Sequence, residues 1–280
     1  HTRRSVALSV ASPGLSVGGI LITPLAKRLL DDRGLAAGTP WRGALFVVGI
    51  VPIAWFLVRP DPEAEGWAPD GARRAIGETP PAPGGVAFAE AVRSRFFVAA
   101  TIGFVLAFGA QVGGIQQLVK LVEDRTDAAT AQFAITAVAA TSVVARLIGG
   151  RLVQYVPMMR LAVVLVATQA AALVVIGAAQ STWLLFAAII VFGATVGNVL
   201  MLQPLLIAER FGVRDYPRIF SRTQLYAVIG TAGCPLLLGA LYDLSDAYRL
   251  PYAVAGACSL IGALALAVGG PATVEGQAST

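Results

Sequence analysis

The chain has 280 residues, of which 56% are hydrophobic and only 13% are charged, and its formal net charge is +5. A soluble globular domain carries about 25% charged residues, so this composition excludes an ordinary soluble fold and indicates a chain embedded in a lipid bilayer. The basic residues lie in short loops between apolar runs rather than on one face rich in aromatic residues, which argues against nucleic acid as the partner.

Eight apolar runs, each close to the ~20 residues that cross a bilayer as a helix, follow one another along the chain. They span residues 5–25, 43–58, 96–118, 131–150, 161–179, 183–207, 223–241 and 251–269. Polar and apolar residues do not alternate within them, so we expect an all-α, polytopic membrane bundle of about eight transmembrane helices. The first run continues into Lys27 and Arg28 without a small-residue cleavage site, which indicates a span rather than a signal peptide.

One long polar segment, residues 59–95, interrupts this succession of spans. It is rich in proline, glycine and charge, and we interpret it as a cytoplasmic linker. The predicted organisation is therefore two spans in residues 1–58, the linker, six spans in residues 96–270 and a tail in residues 271–280.

The distribution of lysine and arginine predicts the orientation in the membrane. The loops on the side of the N-terminus hold 13 of these residues and the opposite loops hold 7, the remaining one being Arg146. Because cytoplasmic loops carry the excess of basic residues, we expect a multi-pass protein of the cell (inner) membrane with both termini in the cytoplasm.

A short sequence echo connects the third and sixth spans. FGAQVG at residues 108–113 recurs as FGATVG at residues 192–197, three spans later. An odd number of spans separates the copies, so they run in opposite directions, as an inverted three-helix repeat within residues 96–269 requires. A chance match in helices rich in glycine, alanine and valine is the alternative.

Arg146 is the one charged residue inside an apolar run, and it lies toward the cytoplasmic side of the fourth span. A charge at the centre of a membrane helix costs about 2.5–3.5 kcal/mol on insertion scales, so such a residue usually faces a cavity or a partner. Ser142 lies one turn earlier on the same face. Either Arg146 and Ser142 face a substrate cavity, or the arginine reaches the cytoplasmic headgroups.

Other polar residues lie near the middle of the spans. Gln111 and Asn198 fall in or beside the echoed segments, where they either line the same cavity or hydrogen-bond between helices. Tyr226 is either an interfacial aromatic residue or a hydroxyl in the cavity. Gln203 lies nearer a predicted span end, where solvation at the interface accounts for its amide.

The sequence offers no recognisable catalytic or metal-binding constellation. There is no metal-ligand spacing, no activated serine or cysteine motif and no phosphate-binding glycine loop, and Cys234 and Cys258 both lie in apolar runs. We therefore expect neither an enzyme nor a cofactor or metal site.

Several stretches resemble the major facilitator superfamily of membrane transporters. WRGALFVVGIVPIAWFLVRPDPEAEGWAPDG resembles the sixth span of that family with the central loop after it, SVASPGLSVGGILITPLAKRL resembles the fifth span, and RLIGGRL at residues 146–152 resembles the end of the eighth span. The resemblance implies the major facilitator fold, with residues 1–58 as the last two spans of the N-terminal half, whose first four spans are missing.

Two further stretches, SVVARLIGG and ERFGVRDYPRIFSRTQLYAVIGTAGCPLLLGALYDLSDAYRLPYAV, are most similar to the monocarboxylate and oxalate/formate porter branch. In that branch an arginine of the eighth span pairs with the substrate carboxylate, and Arg146 occupies the matching place. The resemblance also identifies a conformational loop after this span, to which we assign Gly150, Arg151 and Arg160. Of the loop motif, Gly150, Leu152 and Arg160 retain their character. Gln154 and Tyr155 replace its Asp-Arg pair.

The function implied is secondary active transport, by alternating access, of a small solute such as an organic monocarboxylate anion. Its substrate site would comprise Arg146, Ser142, Gln111, Asn198 and Tyr226. The expected partners are the small-molecule substrate, a coupling proton or counter-anion and the lipid bilayer, and we expect a monomer. The alternatives are transport of an unrelated metabolite or drug, and a non-transporting membrane sensor or assembly protein.

Overall fold

The computed structural model describes residues 34, 38–41, 43–56 and 84–270, which fall into two compact units. In the first unit the described part is one helix, α1 (Gly38–Phe56), which corresponds to the predicted second span and begins five residues before it. The predicted span at 5–25, most of the linker and the tail at 271–280 lie outside the described residues.

The second unit is a bundle of α-helices. Their bounds are α2 (Phe88–Ala91), α3 (Arg95–Arg125), α4 (Ala128–Leu152), α5 (Met158–Ala178), α6 (Thr182–Phe211), α7 (Tyr216–Ser245) and α8 (Arg249–Val268). All except α2 are long and apolar enough to cross a membrane, as is α1. Across the described ranges the only extended pairing is an isolated bridge between Gly85 and Gly212, so the predicted all-α membrane fold is confirmed.

Two of the helices extend well beyond the apolar runs from which they were predicted. Helix α3 ends seven residues later than predicted, and α7 begins seven residues earlier. The extra turns are amphipathic. Lys120, for example, is exposed and pairs with Glu123 and Asp124 on one helix face. Charged residues at a helix end continue the helix into the membrane interface. Hydropathy alone predicts that the helix ends before these residues.

The junction between α3 and α4 is a tight turn with a strong cap. The Asp127 carboxylate accepts hydrogen bonds from the backbone N–H groups of Ala129 and Thr130, each at 2.9 Å, and from the Thr130 hydroxyl at 2.7 Å. These bonds, those of Thr130 above all, hold the pKa of Asp127 below its usual value. The cap satisfies the first free N–H groups of α4 and reverses the chain between two spans.

The packing of the helices follows an inverted repeat of two three-helix units, α3–α5 and α6–α8. Helix α3 packs mainly on α7 and α8, while α6 packs mainly on α4 and α5, and α5 and α8 pack on each other. Exchanging α3 with α6, α4 with α7 and α5 with α8 leaves this pattern unchanged. Such an exchange is what an inverted repeat within residues 96–269 requires.

The two echoed segments perform the same packing task in each repeat. A Cβ added at Gly109 of α3 would lie 2.9 Å from the carbonyl oxygen of Gly230 in α7 and 3.2 Å from Cys234, and one at Gly113 would lie 2.8 Å from Leu238. In the second repeat, a Cβ at Gly193 of α6 would meet Val138 of α4, and one at Gly197 would meet Ser142 and Arg146. The glycines therefore allow α3 and α7, and likewise α6 and α4, to pack closely.

A polar side chain joins three helices in the interior of the bundle. Gln169 of α5 is fully buried, and its amide nitrogen donates to the carbonyl oxygen of Ala107 in α3 at 2.9 Å and to the Ser259 hydroxyl of α8 at 3.1 Å. Ser259 in turn donates to Val166 of α5 at 3.0 Å. These bonds hold α5 and α8 to α3 on the side away from the α4–α6 crossing.

Candidate functional site

Arg146 lies at the crossing of α4 and α6, with its side chain directed between the two helices. It is 1% exposed, the largest side chain in the described residues that is almost completely buried, and its Nε–H donates to the carbonyl oxygen of Gly197 at 3.0 Å. The glycine is essential to this geometry, because a Cβ there would lie 2.9 Å from Cγ of Arg146. Arg146 lies six residues, or about 9 Å along the helix axis, before the end of α4.

The neighbours of Arg146 on α4 show which face of that helix is exposed. Val144, Leu147 and Ile148 are 57%, 42% and 61% exposed, whereas Ser142 and Arg146 are each 1% exposed. The arginine is therefore packed between helices rather than extended along the exposed side of α4.

The structure brings Ser142 and Asn198 to the same crossing. The Ser142 hydroxyl oxygen would lie 3.0 Å from a Cβ at Gly197, next to the Arg146 side chain. The Asn198 amide nitrogen donates to the carbonyl oxygen of Ala194 at 3.0 Å. Its amide oxygen lies against Gly149 and has no hydrogen-bond partner among the described residues. Arg146, Ser142 and Asn198 thus form a buried polar cluster, and Gly149, Gly193 and Gly197 make the room for it.

Gln111 lies on α3, in the position of the first repeat that corresponds to Thr195 of the second. It is 3% exposed, and its amide oxygen has no hydrogen-bond partner among the described residues. A buried amide oxygen without a hydrogen-bond donor is costly. A ligand or water molecule that donates a hydrogen bond to it would therefore be stabilising. Gln111 is thus a second buried polar group, on a neighbouring helix.

The expectation that Gln203 is solvated at a span end is wrong. Gln203 is 2% exposed, because α6 continues to Phe211, two turns beyond it. Pro204 lies inside the same helix and did not end it. The hydropathy of the run places the residue near an interface, and the actual length of α6 places it in the interior.

Tyr226 is not part of the cluster around Arg146. It lies near the beginning of α7, is 38% exposed, and lines a separate apolar cleft between α3 and α7. Its ring centroid lies 6.0 Å from the guanidinium carbon of Arg222. Tyr226 lies on α7, which packs mainly on α3, whereas Arg146 lies on α4, which packs mainly on α6.

The turn after α4 contains the residues assigned to a conformational loop. Gly150 is buried, while Arg151 and Arg160 are exposed, and neither arginine forms an ion pair with any described residue. The backbone of Gln154 and Tyr155 bonds to Arg151 and Leu152, which closes the connection to α5 within a few residues. The turn is therefore tight, and its two arginines point to solvent or headgroups.

The described residues contain no group of three or more histidine, cysteine, aspartate or glutamate side chains arranged to hold a metal ion. The chemistry of the α4–α6 crossing is therefore that of a fixed cation beside hydroxyl and amide groups. A guanidinium group is chemically suited to an anion with hydrogen-bonding oxygens, since its fork matches the two oxygens of a carboxylate.

Comparison with known proteins gives the following relatives. Residues 108–279 match the family model described as Major Facilitator Superfamily. The structure is similar to a crystal structure of a variant of the Escherichia coli fucose:proton symporter FucP, with 13% sequence identity, coverage of 96% of this chain and 69% of that chain, and a TM-score of 0.67. FucP in the outward conformation gives 12% identity, the same coverage and a TM-score of 0.68. No curated protein sequence matched the chain.

Proposed function

Because the chain belongs to the Major Facilitator Superfamily, a family of secondary transporters, we propose that its solute is a small organic anion with a single carboxylate group. The carboxylate is bound by Arg146, with Ser142, Asn198 and Gln111 as hydrogen-bonding neighbours. Transport proceeds by alternating access, in which the helices at the site separate first toward one side of the membrane and then toward the other.

The observation that carries this proposal is the difference between Arg146 and its counterpart in the other repeat. The residues next to the glycines of the two echoed segments identify corresponding positions on α4 and α7. Val138 corresponds to Gly230, Ser142 to Cys234 and Arg146 to Leu238. Leu238 is fully buried and fills the same place against α3 that Arg146 fills against α6. Since leucine meets the packing requirement, packing alone does not account for a charge at residue 146.

The energetic argument supports the same conclusion. A cation held away from water needs partners, and the carbonyl oxygen of Gly197 is one of those that Arg146 has. A substrate carboxylate supplies the opposite charge and two acceptor oxygens in the planar geometry that a guanidinium matches. The Nε bond to Gly197 fixes the orientation of the fork, so little entropy is lost when the anion binds.

The proposal includes the setting of the site. Residues 1–58 belong to the N-terminal half of the transporter, residues 59–95 to the central linker and residues 96–270 to the C-terminal half, with both termini in the cytoplasm of a cell expressing the protein in its inner membrane. The protein acts as a monomer. Coupling is to a proton or a counter-anion.

Substitution of Arg146 tests the role of the charge. Arg146→Lys keeps the charge but loses the planar fork, and Arg146→Gln loses both, so uptake of a monocarboxylate into proteoliposomes is expected to fall at least tenfold for each, with the glutamine variant lower. Arg249, exposed at the start of α8, provides the matched controls Arg249→Lys and Arg249→Gln, which retain uptake. Membrane insertion and thermal unfolding of every variant are measured alongside.

Two results would contradict the proposal. Normal uptake by a correctly inserted Arg146→Gln protein would exclude a carboxylate-binding role. Uptake of a neutral sugar such as fucose, unchanged by substitution of Arg146, would instead favour the main alternative, a carrier of an uncharged metabolite. The fold likeness to a fucose:proton symporter makes fucose the natural comparison solute.

A further inference from the structure

A cleft of about 430 Å³ lies where α2 meets the first turns of α7, away from the α4–α6 crossing. Its lining combines two arginines with a hydroxyl and apolar side chains: Phe88, Pro217, Arg218, Ser221, Arg222 and Leu225. Arg218 and Arg222 are one helical turn apart, so both guanidinium groups serve the same face of α7.

The cleft has a defined wall because α2 is fixed to the loop between α6 and α7. The backbone N–H of Val86 donates to the carbonyl oxygen of Phe211 at 2.9 Å, beside the bridge between Gly85 and Gly212. The N–H of Phe88 donates to the Asp215 carboxylate at 2.8 Å. This anchoring places the ring of Phe88 opposite α7 and closes one side of the cleft.

Aromatic rings hold the two arginines in position without neutralising them. The guanidinium carbon of Arg218 lies 4.9 Å from the ring centroid of Phe88, and that of Arg222 lies 6.0 Å from the ring centroid of Tyr226. Neither arginine forms an ion pair with a residue in the described ranges. Two positive charges are therefore presented to the same cleft with their hydrogen-bond donors available.

An apolar cleft of about 460 Å³ begins where the charged one ends. It lies between α3 and α7, and its lining is Val92, Phe97, Val98, Thr101, Ile102, Val105, Leu106, Tyr226 and Ile229. Tyr226 follows Leu225 of the first cleft and lies beneath Arg222, so the two clefts adjoin along α7. From Arg218 to Ile229 the helix rises about 16 Å, which leads from a membrane interface into the hydrocarbon region.

Thr101 lines the apolar cleft and carries a hydroxyl group. The residue is 8% exposed, and its hydroxyl oxygen is buried, without a hydrogen-bond partner among the described residues. An unsatisfied hydroxyl in an apolar environment is costly. Rotation about χ1 would turn this hydroxyl toward the cleft, where an acceptor oxygen of a ligand would remove the cost.

We propose that the two clefts together bind one anionic phospholipid. Its phosphate lies between Arg218 and Arg222, one acyl chain occupies the α3–α7 cleft, and an ester oxygen accepts a hydrogen bond from the Thr101 hydroxyl after rotation about χ1. Charge complementarity selects the anion, and the adjoining apolar cleft selects a lipid over a free phosphate, because a soluble anion leaves that cleft empty. The lipid bridges α2, α3 and α7 and thereby fixes the beginning of α7.

Native mass spectrometry of the detergent-solubilised protein tests this site. Phosphatidylglycerol and phosphatidylcholine with the same acyl chains are titrated separately, and glycerol 3-phosphate serves as the soluble phosphate probe. We expect phosphatidylglycerol to bind at least fivefold more tightly than phosphatidylcholine, and this preference to be lost in the double variant Arg218→Gln/Arg222→Gln. Arg218→Lys/Arg222→Lys, which keeps both charges, is expected to retain most of it.

Two matched controls separate the site from general attraction. Arg151→Gln/Arg160→Gln removes the same charge from exposed positions outside both clefts and is expected to change the affinity less than twofold. Ile102→Trp fills the apolar cleft and is expected to weaken phosphatidylglycerol binding, whereas Ile148→Trp, on the exposed face of α4, is not.

Three results would overturn the proposal. Equal affinity for the two lipids would exclude anion recognition, and an equal loss in the Arg151/Arg160 variant would leave only a diffuse electrostatic effect. Glycerol 3-phosphate binding as tight as that of phosphatidylglycerol, with no effect of Ile102→Trp, would identify a site for a soluble phosphate instead. Thermal unfolding verifies that each variant is folded.

Discussion

At the scale of single residues, Arg146 and Leu238 show how a repeat can diverge in chemistry while it preserves its packing. Both side chains lie against the second glycine of an echoed segment, Arg146 against Gly197 and Leu238 against Gly113. One is a cation with a carbonyl partner, and the other is a hydrocarbon. If the proposed site binds a solute, one charge in a two-fold symmetric frame would hold an asymmetric solute such as a monocarboxylate in one orientation.

The sequence alone predicts that Arg146 is buried or snorkels, but it does not decide between the two. The decision depends on which face of α4 meets α6, and the weak amphipathicity of an apolar span hides that face. The glycines of FGATVG carry the missing information, since a close helix crossing needs residues without side chains. The counterpart of Arg146 is harder to find from the sequence. Corresponding residues are 84 positions apart in α3 and α6 but 92 positions apart in α4 and α7.

Gly197→Ala is expected to destabilise the protein by about 1–3 kcal/mol, because the added methyl group overlaps the Ser142 carbonyl and lies 2.9 Å from Arg146. Gly233→Ala of α7 is the matched control, since a Cβ there meets nothing within 4 Å. The control is expected to be neutral or stabilising by about 0.5–1 kcal/mol, as alanine favours helix over glycine. Thermal unfolding in detergent measures both, and equal effects would exclude a close crossing at Gly197.

At the scale of helices, the end of α5 depends on a single side chain from α3. The Arg125 guanidinium donates to the carbonyl oxygens of Ile176 at 2.8 Å, Ala179 at 3.0 Å and Gly177 at 2.8 Å. The last carbonyls of a helix lack partners within it and carry partial negative charge, so a cation there satisfies both needs. The sequence identifies Arg125 only as a charge in a loop, because no local pattern connects it with residues 51 to 54 positions later.

Arg125→Gln is expected to destabilise the protein by about 1.5–3 kcal/mol through loss of these charged hydrogen bonds. Arg125→Lys is expected to recover part of the loss, since a lysine satisfies fewer carbonyls at once. Lys120→Gln, on the same helix, breaks only surface ion pairs and is expected to leave the midpoint of thermal unfolding nearly unchanged. Thermal unfolding measures all three variants. An effect of Lys120→Gln as large as that of Arg125→Gln would contradict the role given to the Arg125 hydrogen bonds.

The order and number of the helices in residues 95–268 follow directly from hydropathy, because each span is a continuous apolar run. Their ends do not. α7 begins at Tyr216 because Pro217 suits the first turn of a helix and because Arg218 and Arg222 share one face. The composition of the sequence does not predict α2 either, because long-range hydrogen bonds to Asp215 and Phe211 fix this segment rather than a local pattern.

At the scale of the whole molecule, the inverted repeat determines which loops share a side of the membrane. The α4–α5 turn and the α6–α7 loop lie at one end of the bundle, together with the start of α3, and the α7–α8 turn lies at the other. Eight of the twelve basic residues between 84 and 270 lie at the first end, three at the second, and Arg146 between them. The positive-inside rule therefore predicts that the first end is cytoplasmic.

Cysteine labelling tests this orientation. In a variant in which Cys234 and Cys258 are replaced by serine, Tyr155→Cys is expected to react with an impermeant maleimide only after the membrane is opened. Ala247→Cys, in the α7–α8 turn, is expected to react in intact cells. Both positions are exposed, so accessibility within the protein does not limit either reaction. The reverse pattern would contradict the predicted topology, and labelling of both in intact cells would contradict the assignment of the helices as spans.

The central claim is that this member of the superfamily recognises its solute by a carboxylate. The most direct measurement is uptake into proteoliposomes of two solutes that differ only in charge, propionate and propionamide, each labelled and each used to compete with the other. Saturable uptake of propionate that propionamide does not inhibit, and that Arg146→Gln abolishes, is the predicted result. Equal uptake of the two solutes, or propionate uptake that persists in Arg146→Gln, would contradict it.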